Sequence, residues 1–270
     1  MTAEDYGLPT MPLSRLSSVI RLLSCLLLIA VGTFVFVLVC LLLLPSRSLR
    51  IKACNVYGHV VGRGCLWLAG ATVPEGIPEQ VRADHPAIYI SNHTSMLDIF
   101  MGIWLAPVGT VGVAKKQVVW YPFFGQLYAV SGHILLDRSN TASAIDALKE
   151  AAAIIHTHRI GVWMWPEGTR AKDGRLRPFK KGFAHLAIAT RLPIVPVVVT
   201  GAHHAMQKNS LTIRPTVIGM RALPAIRTDD WTLENLDEKV AEVHAAFDAA
   251  LPDEQKSLPV APAAGRRTGS

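Results

Sequence analysis

The sequence has few cysteines, and their placement excludes several kinds of chemistry. It has four among its 270 residues, at Cys25, Cys40, Cys54 and Cys65, all inside an N-terminal apolar region. Their spacing matches no zinc-binding pattern, and no cysteine follows that could serve as a nucleophile or form a disulfide in the rest of the chain. We interpret them as small hydrophobic residues, in a chain that shows no dependence on an oxidising compartment.

Three further motifs are missing. The chain has no GxSxG nucleophile elbow, no glycine-rich nucleotide loop and no internal repeat. These absences argue against a serine-hydrolase mechanism, nucleotide binding through a phosphate loop and a repeat architecture. No residue cluster suggests a metal site, so we expect neither a metal nor a resident cofactor.

The excess of positive charge lies in one central stretch. The formal net charge is +7, and residues 111–185 contribute +6 of it through 11 basic and 5 acidic side chains. Basic residues interleaved with exposed aromatic residues, which nucleic-acid binding requires, are not found, so we expect no nucleic-acid partner. The basic residues are spread among apolar elements instead of forming one polybasic block, a pattern that favours a pocket for an anionic small molecule.

The N-terminal region predicts attachment to a membrane. Leu22 to Leu44 is an uncharged run that would form a helix about 35 Å long, enough to cross a hydrocarbon core of about 30 Å. It is too long for a signal peptide, and a buried helix of a soluble core is the less favoured alternative. Leu49 to Val73 is a second apolar stretch, which carries three basic residues and suits the membrane interface. The two segments could form a re-entrant pair, or the first could span, and the flanking charges do not settle the orientation of the segment.

Beyond this region, strand-like and helix-like segments alternate. PAIYIS, TVGVA, GVWMW, PIVPVVVT and TVIGMRAL have strand character, whereas 141–158, 182–190 and 232–251 have helical periodicity. The alternation predicts an α/β fold with a mostly parallel sheet flanked by helices. We divide the chain into a membrane-anchoring helical region (1–73), a catalytic domain (74–252) and a disordered tail (253–270).

The stretch AIYISNHTSMLDIF, from Ala87 to Phe100, contains the first candidate catalytic pair. His93 and Asp98 would point apart in a continuous helix, so they can meet only if His93 lies in a turn and Asp98 in the first turn of the next helix. A carboxylate on one imidazole nitrogen would leave the other nitrogen free as a general base. The pair alone is weak evidence, because His133 with Asp137 and His244 with Asp248 occur at similar spacing.

Three further segments strengthen that interpretation, and together they carry a resemblance to a known family. They are GHILLDR (132–138), WPEGTR (165–170) and IVPVV (194–198), which follow NHTSMLD (92–98) in that order. In order and spacing these four blocks resemble the glycerolipid acyltransferase family, and most closely its bacterial 1-acylglycerol-3-phosphate acyltransferases. One departure is Trp165, where the family usually has phenylalanine.

The resemblance implies direct acyl transfer. His93 would deprotonate the free hydroxyl of a lysophospholipid, which attacks the thioester of acyl-CoA or acyl carrier protein, and Asp98 would orient the histidine. The thioester is a co-substrate, and no covalent acyl enzyme is required.

The resemblance also assigns residues to the phosphate-bearing acceptor. Arg170 would bind the phosphate, supported by Arg138 and by Lys180 or Lys181, because guanidinium and ammonium groups bind phosphate strongly. Gly168 would let the backbone approach, and Thr169 would donate a hydroxyl and an amide hydrogen. Glu167 would bind the glycerol hydroxyl or hold an arginine in position. The same basic stretch could instead bind the phosphates of coenzyme A, and the sequence does not separate the two roles.

The function expected from these residues is therefore synthesis of phosphatidic acid from lysophosphatidic acid at the cytoplasmic membrane, with the catalytic domain on the cytosolic face and membrane lipids around the N-terminal region. Two alternatives stay open. One is an acyltransferase for another lysolipid, such as a lyso-ornithine lipid or a remodelled phospholipid. The other is a catalytically silent membrane scaffold.

Overall fold

A computed structural model describes residues 15–121, 124–136 and 141–258. The α-helices are α1 (Arg15–Leu42), α2 (Arg47–Ala69), α3 (Glu79–Ala83), α4 (Leu97–Leu105), α5 (Phe124–Ser131), α6 (Thr141–His158), α7 (Gly182–Thr190), α8 (Ala202–Ala205) and α9 (Leu236–Ala250). The strands are β1 (Ala71–Thr72), β2 (Ile88–Ser91), β3 (Thr110–Lys115), β4 (Ile134–Leu136), β5 (Gly161–Met164), β6 (Ile194–Thr200), β7 (Thr216–Val217) and β8 (Gly219–Ala222). A 3-10 helix covers Lys116–Trp120.

The main sheet has six strands in the order β4-β3-β5-β2-β6-β8. Every pair is parallel except β6 with β8. All four residues of β2 and all four of β5 are buried, as expected of strands that helices cover on both faces. The prediction of an α/β fold with a mostly parallel sheet is confirmed.

Each face of the sheet packs against its own set of helices. On one face, Ile88 and Ile90 of β2 lie in a core with residues of α6, α7 and α9, among them Ile155, Phe183 and Phe247. On the other face, Tyr89 of the same strand packs with residues of α2 and α4. The alternation of these neighbours along β2 follows from the period of two residues in a strand.

The predicted elements agree with the structure except near the end of the chain. Helices α6 and α7 have the predicted bounds, whereas α9 begins four residues later than expected, at Leu236. Thr232 and Asn235 bond reciprocally, each backbone N–H to the other's side-chain oxygen, and this turn takes the place of the first helical turn. The predicted strand TVIGMRAL divides into β7, which pairs with β1, and β8, which pairs with β6.

The N-terminal helices form an antiparallel pair. Near the start of α1, Arg21 donates to the carbonyl of Leu68, near the end of α2, at 3.0 Å. Further along α1, the Thr33 hydroxyl lies 2.9 Å from the hydroxyl of Tyr57, which is earlier in α2, so the two helices run in opposite directions. The four cysteines are free thiols buried between the helices, as small hydrophobic residues would be. Among the described residues, α1 is the helix long and apolar enough to cross a membrane, by length and composition alone.

Helix α2 belongs to the packing of the catalytic domain, which the sequence-based boundary after residue 73 did not anticipate. The Asn55 amide donates to the carbonyl of Thr110 at 2.8 Å and accepts from Gly109 N at 2.7 Å. Gly58 and Gly62 lie against the backbone of α4, where an added Cβ would stand 2.9 Å from Ile103 O and 2.6 Å from Phe100 O, respectively. The boundary at 73 therefore divides the chain but not the core.

The other sequence-based boundary, at residue 252, also needs correction. Residues 253–258 are described and packed: Gln255 is buried, its side chain accepts from Gly201 N at 2.9 Å, and its carbonyl accepts from Leu176 N at 2.8 Å. The predicted tail lacks apolar periodicity, but polar contacts of this kind leave no such pattern. Residues 259–270 lie outside the described part of the chain.

The contact between α2 and α4 predicts a difference between two glycines of one helix. Gly62→Ala would press a methyl group into the carbonyl of Phe100, and we expect it to lower the free energy of unfolding by about 1–3 kcal/mol. Gly64→Ala would instead meet the flexible end of the Leu28 side chain, which can move. We expect the gain in helix propensity, about 1 kcal/mol, to offset the cost of that movement. Chemical denaturation in detergent measures both variants. Equal stability of the two would contradict the close approach of α2 and α4.

Candidate active site

Three loops meet at one edge of the sheet because their strands are neighbours. Strands β5, β2 and β6 are adjacent and parallel, so the loops that follow them leave from the same edge. These loops carry His93 after β2, the WPEGTR segment after β5 and residues 201–210 after β6. Ligands of open parallel sheets bind at this edge, beyond the carboxyl ends of the strands.

His93 and Asp98 form the predicted pair. The Nδ1 atom of His93 lies 3.0 Å from Oδ2 of Asp98, and both residues are buried. The same carboxylate oxygen accepts from the backbone N–H groups of Thr94, at 2.5 Å, and Ser95, at 2.7 Å. The carboxylate is thereby fixed in place, and it leaves the Nε2 atom of His93 available to a substrate.

Local sequence explains this turn. Helix α4 begins at Leu97, which places Asp98 in its first turn, where the free N–H groups and the helix dipole favour a carboxylate. Before the turn, the Asn92 side chain donates to Val199 O at 2.7 Å and accepts from Val199 N at 2.8 Å. Asn92 thus continues the pairing of β2 with β6 for one more residue and sets the position from which His93 departs.

Glu167 lies closer to the histidine than the sequence led us to expect. Its Oε1 atom accepts from the backbone N–H of His93 at 2.7 Å, and the carbonyl of His93 accepts from Ala171 N at 2.8 Å. Glu167 therefore joins the loop after β5 to the loop after β2. The pKa of Glu167 is raised to about 8, mainly because the side chain is buried. The hydrogen bond from His93 N lowers this pKa, and the nearby charge of Asp98 raises it.

Trp165 links the histidine to an apolar cavity. Its ring stacks on the imidazole of His93 with centroids 4.9 Å apart. The cavity beside it has a volume of about 190 Å³ and is bordered by α2, α4, β3, α5 and β5. Its lining is mostly apolar or glycine, with the polar residues Asn55, Thr110 and His133, and it includes Tyr57, Ile99, Gly102, Gly112, Leu127 and Trp163. A long hydrocarbon chain could enter here with its reactive end beside His93.

The predicted acceptor-binding residues gather on the exposed side of the same loop. Gly168 has φ of 70°, a left-handed conformation that suits glycine, and Lys180 lies against it, 3.0 Å from the place where a Cβ would be. Thr169 and Gly168 are exposed, and Arg170 is half-buried. The structure thus brings together Gly168, Thr169, Arg170 and Lys180, whereas Arg138 lies outside the described residues.

Lys208 is a basic residue of this region that the sequence analysis missed. It lies on the loop after β6, and its ammonium contacts Thr169 and Arg170 of the loop after β5. No sequence motif marks it. The available signal is topological, since a loop that follows the strand next to β2 must leave the sheet at the edge that carries His93.

Comparison with known proteins agrees with this geometry. Residues 74–200 match the family model described as acyltransferase. The 1-acyl-sn-glycerol-3-phosphate acyltransferase of Limnanthes douglasii is 45% identical over 243 residues, which cover 90% of this chain and 86% of the relative. The protein of that name from Escherichia coli K12 is 33% identical over 215 residues, which cover 80% and 86%. The sequence blocks had suggested a greater similarity to bacterial members, but of these two relatives the plant protein shares more residues.

A solved structure supports the fold. The crystal structure of the 1-acyl-sn-glycerophosphate (LPA) acyltransferase from Thermotoga maritima matches with a TM-score of 0.66 and 23% sequence identity. The match covers 84% of this chain and 91% of the other.

The raised pKa of Glu167 predicts a pH-dependent stability. Between about pH 4.5 and about pH 8 the folded protein holds a proton that the unfolded chain has released, so stability falls as pH rises through this interval. We expect Glu167→Gln to flatten this part of the stability profile. Glu75→Gln, at an exposed carboxylate, serves as the control. Denaturation between pH 5 and pH 9 measures the slopes, and a slope unchanged by Glu167→Gln would show that Glu167 does not cause it.

Proposed function

The chain belongs to the family of 1-acyl-sn-glycerol-3-phosphate acyltransferases, and we propose that it transfers a fatty acyl group from a thioester to the free hydroxyl of 1-acylglycerol 3-phosphate, which gives phosphatidic acid. The observation that carries the proposal is the position of the His93–Asp98 pair between an apolar cavity and an exposed basic loop. A reaction that joins a fatty acyl group to a phosphate-bearing alcohol needs an apolar environment for the acyl chain on one side of the base and a cationic environment for the phosphate on the other.

The chemistry follows from the hydrogen bonds of the imidazole. With Nδ1–H directed at Asp98, Nε2 accepts the proton of the acceptor hydroxyl while its oxygen attacks the carbonyl carbon of the thioester. Asp98 stabilises the imidazolium that results. When the tetrahedral intermediate collapses, the carbon–sulfur bond breaks, and His93 returns the proton to the leaving thiolate. Acyl transfer is then complete without a covalent enzyme intermediate.

We assign the apolar cavity to the hydrocarbon chain of the donor. The aromatic ring of Trp165 forms its wall next to His93, so a thioester carbonyl at the cavity mouth would lie beside the base. Helix α4 then follows the cavity away from the base. Ala106, at the far end, lies about 12 Å along the helix axis from Asp98, at about 1.5 Å per residue.

We assign the phosphate of the acceptor to the loop after β5. Arg170 can bind two phosphate oxygens with its guanidinium, and Lys180 adds a second cation, whose side chain packs against Gly168. Glu167 acts here by holding His93 in register with this loop, a role that its hydrogen bond to His93 N supports. Acyl-CoA and acyl carrier protein both suit the donor role, and the reaction as written needs no resident cofactor.

A membrane-associated acceptor agrees with the surface of α1. The large side chains Leu23, Leu27, Val31, Phe34, Leu38 and Leu42 are between 48% and 83% exposed and recur every three or four residues. Trp67, Trp120 and Tyr121 are also exposed, and aromatic residues of this kind are frequent at membrane interfaces. We propose that α1 presents this apolar face to membrane lipids.

The packing of α2 favours the re-entrant arrangement over a span. Helix α1 packs against α2 and against Leu127 of α5, and α2 is itself packed against α4. An α1 that crossed the bilayer would therefore carry α4 and α5 into the hydrocarbon. We propose that the helical pair and the domain lie on one leaflet of the cytoplasmic membrane, on the cytosolic face, where soluble acyl thioesters occur and free thiols persist.

The proposal is tested with purified protein, labelled acyl-CoA or acyl carrier protein, and a panel of lysolipids. We expect the highest kcat/KM with 1-acylglycerol 3-phosphate. His93→Ala should lower kcat by at least about 100-fold, since general-base catalysis contributes roughly that much, while the variant still folds and binds membranes. Preference for another lysolipid, such as a lyso-ornithine lipid, would contradict the choice of acceptor, and unchanged turnover in His93→Ala would contradict the mechanism.

The cavity assignment predicts a change in chain-length preference. Ala106→Leu fills the far end of the cavity, so we expect the ratio of rates with 18-carbon and 12-carbon donors to fall by roughly tenfold. Val60→Leu is the matched control, because Val60 is 60% exposed and does not line the cavity. Competition assays with mixed donors measure the ratio. The same ratio in Ala106→Leu and in Val60→Leu would place the acyl chain elsewhere.

A further inference from the structure

We infer that Lys208 is a positioning residue for the acceptor phosphate: it holds the Thr169 hydroxyl as a hydrogen-bond donor and adds a cation beside Arg170. The inference rests on the proposed function, since it concerns the same acceptor. It goes beyond the sequence blocks that carry the family resemblance, because Lys208 lies outside all four of them.

The contacts of Lys208 are specific. Its Nζ atom donates to Oγ1 of Thr169 at 3.1 Å and to the carbonyl of Arg170 at 3.0 Å. An ammonium group has three hydrogens, so one remains for a ligand. Within the described residues, Lys208 forms no ion pair with a carboxylate, so none of their acidic groups neutralises its positive charge.

The loop that carries Lys208 is held against the catalytic residues. The carbonyl of Met206 accepts from the hydroxyl of Ser95, in the turn between His93 and Asp98, at 2.9 Å. Ala205 and Met206 are buried, and Arg214 N donates to Ala205 O at 2.9 Å, which closes the loop. Only Gln207 separates the anchored Met206 from Lys208 along the chain. The side chain therefore reaches the loop after β5 from a supported backbone.

The direction of the bond to Thr169 has a chemical consequence. Because the lysine can only donate, the oxygen of Thr169 must accept, and the hydroxyl hydrogen is left free to donate to a third group. Thr169 is exposed beside Arg170 and Gly168, so a phosphate oxygen bound there is the acceptor that this hydrogen can reach. Lys208 thus turns a hydroxyl that could donate or accept into one that donates.

The bond to the Arg170 carbonyl has a second effect. It fixes the backbone from which the Arg170 side chain departs, and a guanidinium must be well placed to bind phosphate through two hydrogen bonds. Lys208 and Arg170 then approach the phosphate from two different loops, whose strands are both neighbours of β2.

The test compares Lys208→Met, Lys208→Arg, Thr169→Val and the double variant Lys208→Met/Thr169→Val with the wild type. We expect Lys208→Met to raise KM for 1-acylglycerol 3-phosphate roughly tenfold, as for loss of a hydrogen bond to a charged group, with little change in kcat or in the donor's KM. Lys208→Arg should recover part of the affinity. The double variant should lose little more than Lys208→Met alone, since the lysine acts partly through the Thr169 hydroxyl.

Lys239→Met is the matched control, because Lys239 lies on α9 and pairs with Asp230 and Glu242. The inference would be overturned if Lys208→Met left the acceptor KM unchanged or raised only the donor's KM. A fall in kcat as large as the rise in the acceptor KM, together with a lowered melting temperature, would also overturn it. The proposed function fails differently. A wild type that does not acylate 1-acylglycerol 3-phosphate contradicts that function. An active wild type whose Lys208→Met variant keeps the same acceptor KM contradicts only the role of Lys208.

Discussion

The parallel pairing of β2 with β5 on one side and with β6 on the other is the constraint on which the active site depends. Each strand is short and buried, and each releases its loop at the same edge of the sheet. His93 comes from the central loop, and the two neighbouring loops supply the remaining contacts. Glu167 bonds the backbone of His93 from one side, and Asn92 bonds Val199 on the other. A shift of β5 against β2 would separate His93 from Glu167 and from the cations of the loop after β5.

The site joins two environments of opposite character. Asp98 and Glu167 have buried carboxyl groups that accept hydrogen bonds from backbone N–H groups, whereas the cations around Gly168 lie toward solvent. On the other side of His93, Trp165 stacks on the imidazole and borders the mostly apolar cavity. Such a division suits a substrate pair in which one partner is a hydrocarbon thioester and the other carries a phosphate, because each binds where its solvation cost is smallest.

The N-terminal helical pair and the His93–Asp98 pair share the same packing. Helix α2 contacts α1 on one side and α4 on the other, and α4 carries Asp98 in its first turn and borders the cavity along its length. Glycines at positions 58 and 62 permit that approach, since any side chain there would meet the backbone of α4. The apolar cavity is therefore formed in part by α2, the helix that also packs against the apolar helix α1.

The sequence alone predicted the fold class, the helix bounds of α6 and α7, the apolar character of the N-terminus and the His93–Asp98 pair. It did so because periodicity and turn chemistry are local properties, and because the four blocks occur in a recognisable order. Tertiary packing, by contrast, places α2 in the core of the α/β domain and sets the hydrogen bond between Glu167 and the backbone of His93. It also places Gln255 inside the domain and Lys208 against the basic loop. These contacts link residues that lie 38 or more positions apart in the chain, such as Asn55 and Thr110, 55 positions apart, or His93 and Glu167, 74 positions apart. Their partners are set by strand order and helix packing. The physical reason is that a local pattern records which face of an element is buried, whereas the partner on that face depends on the arrangement of the whole chain.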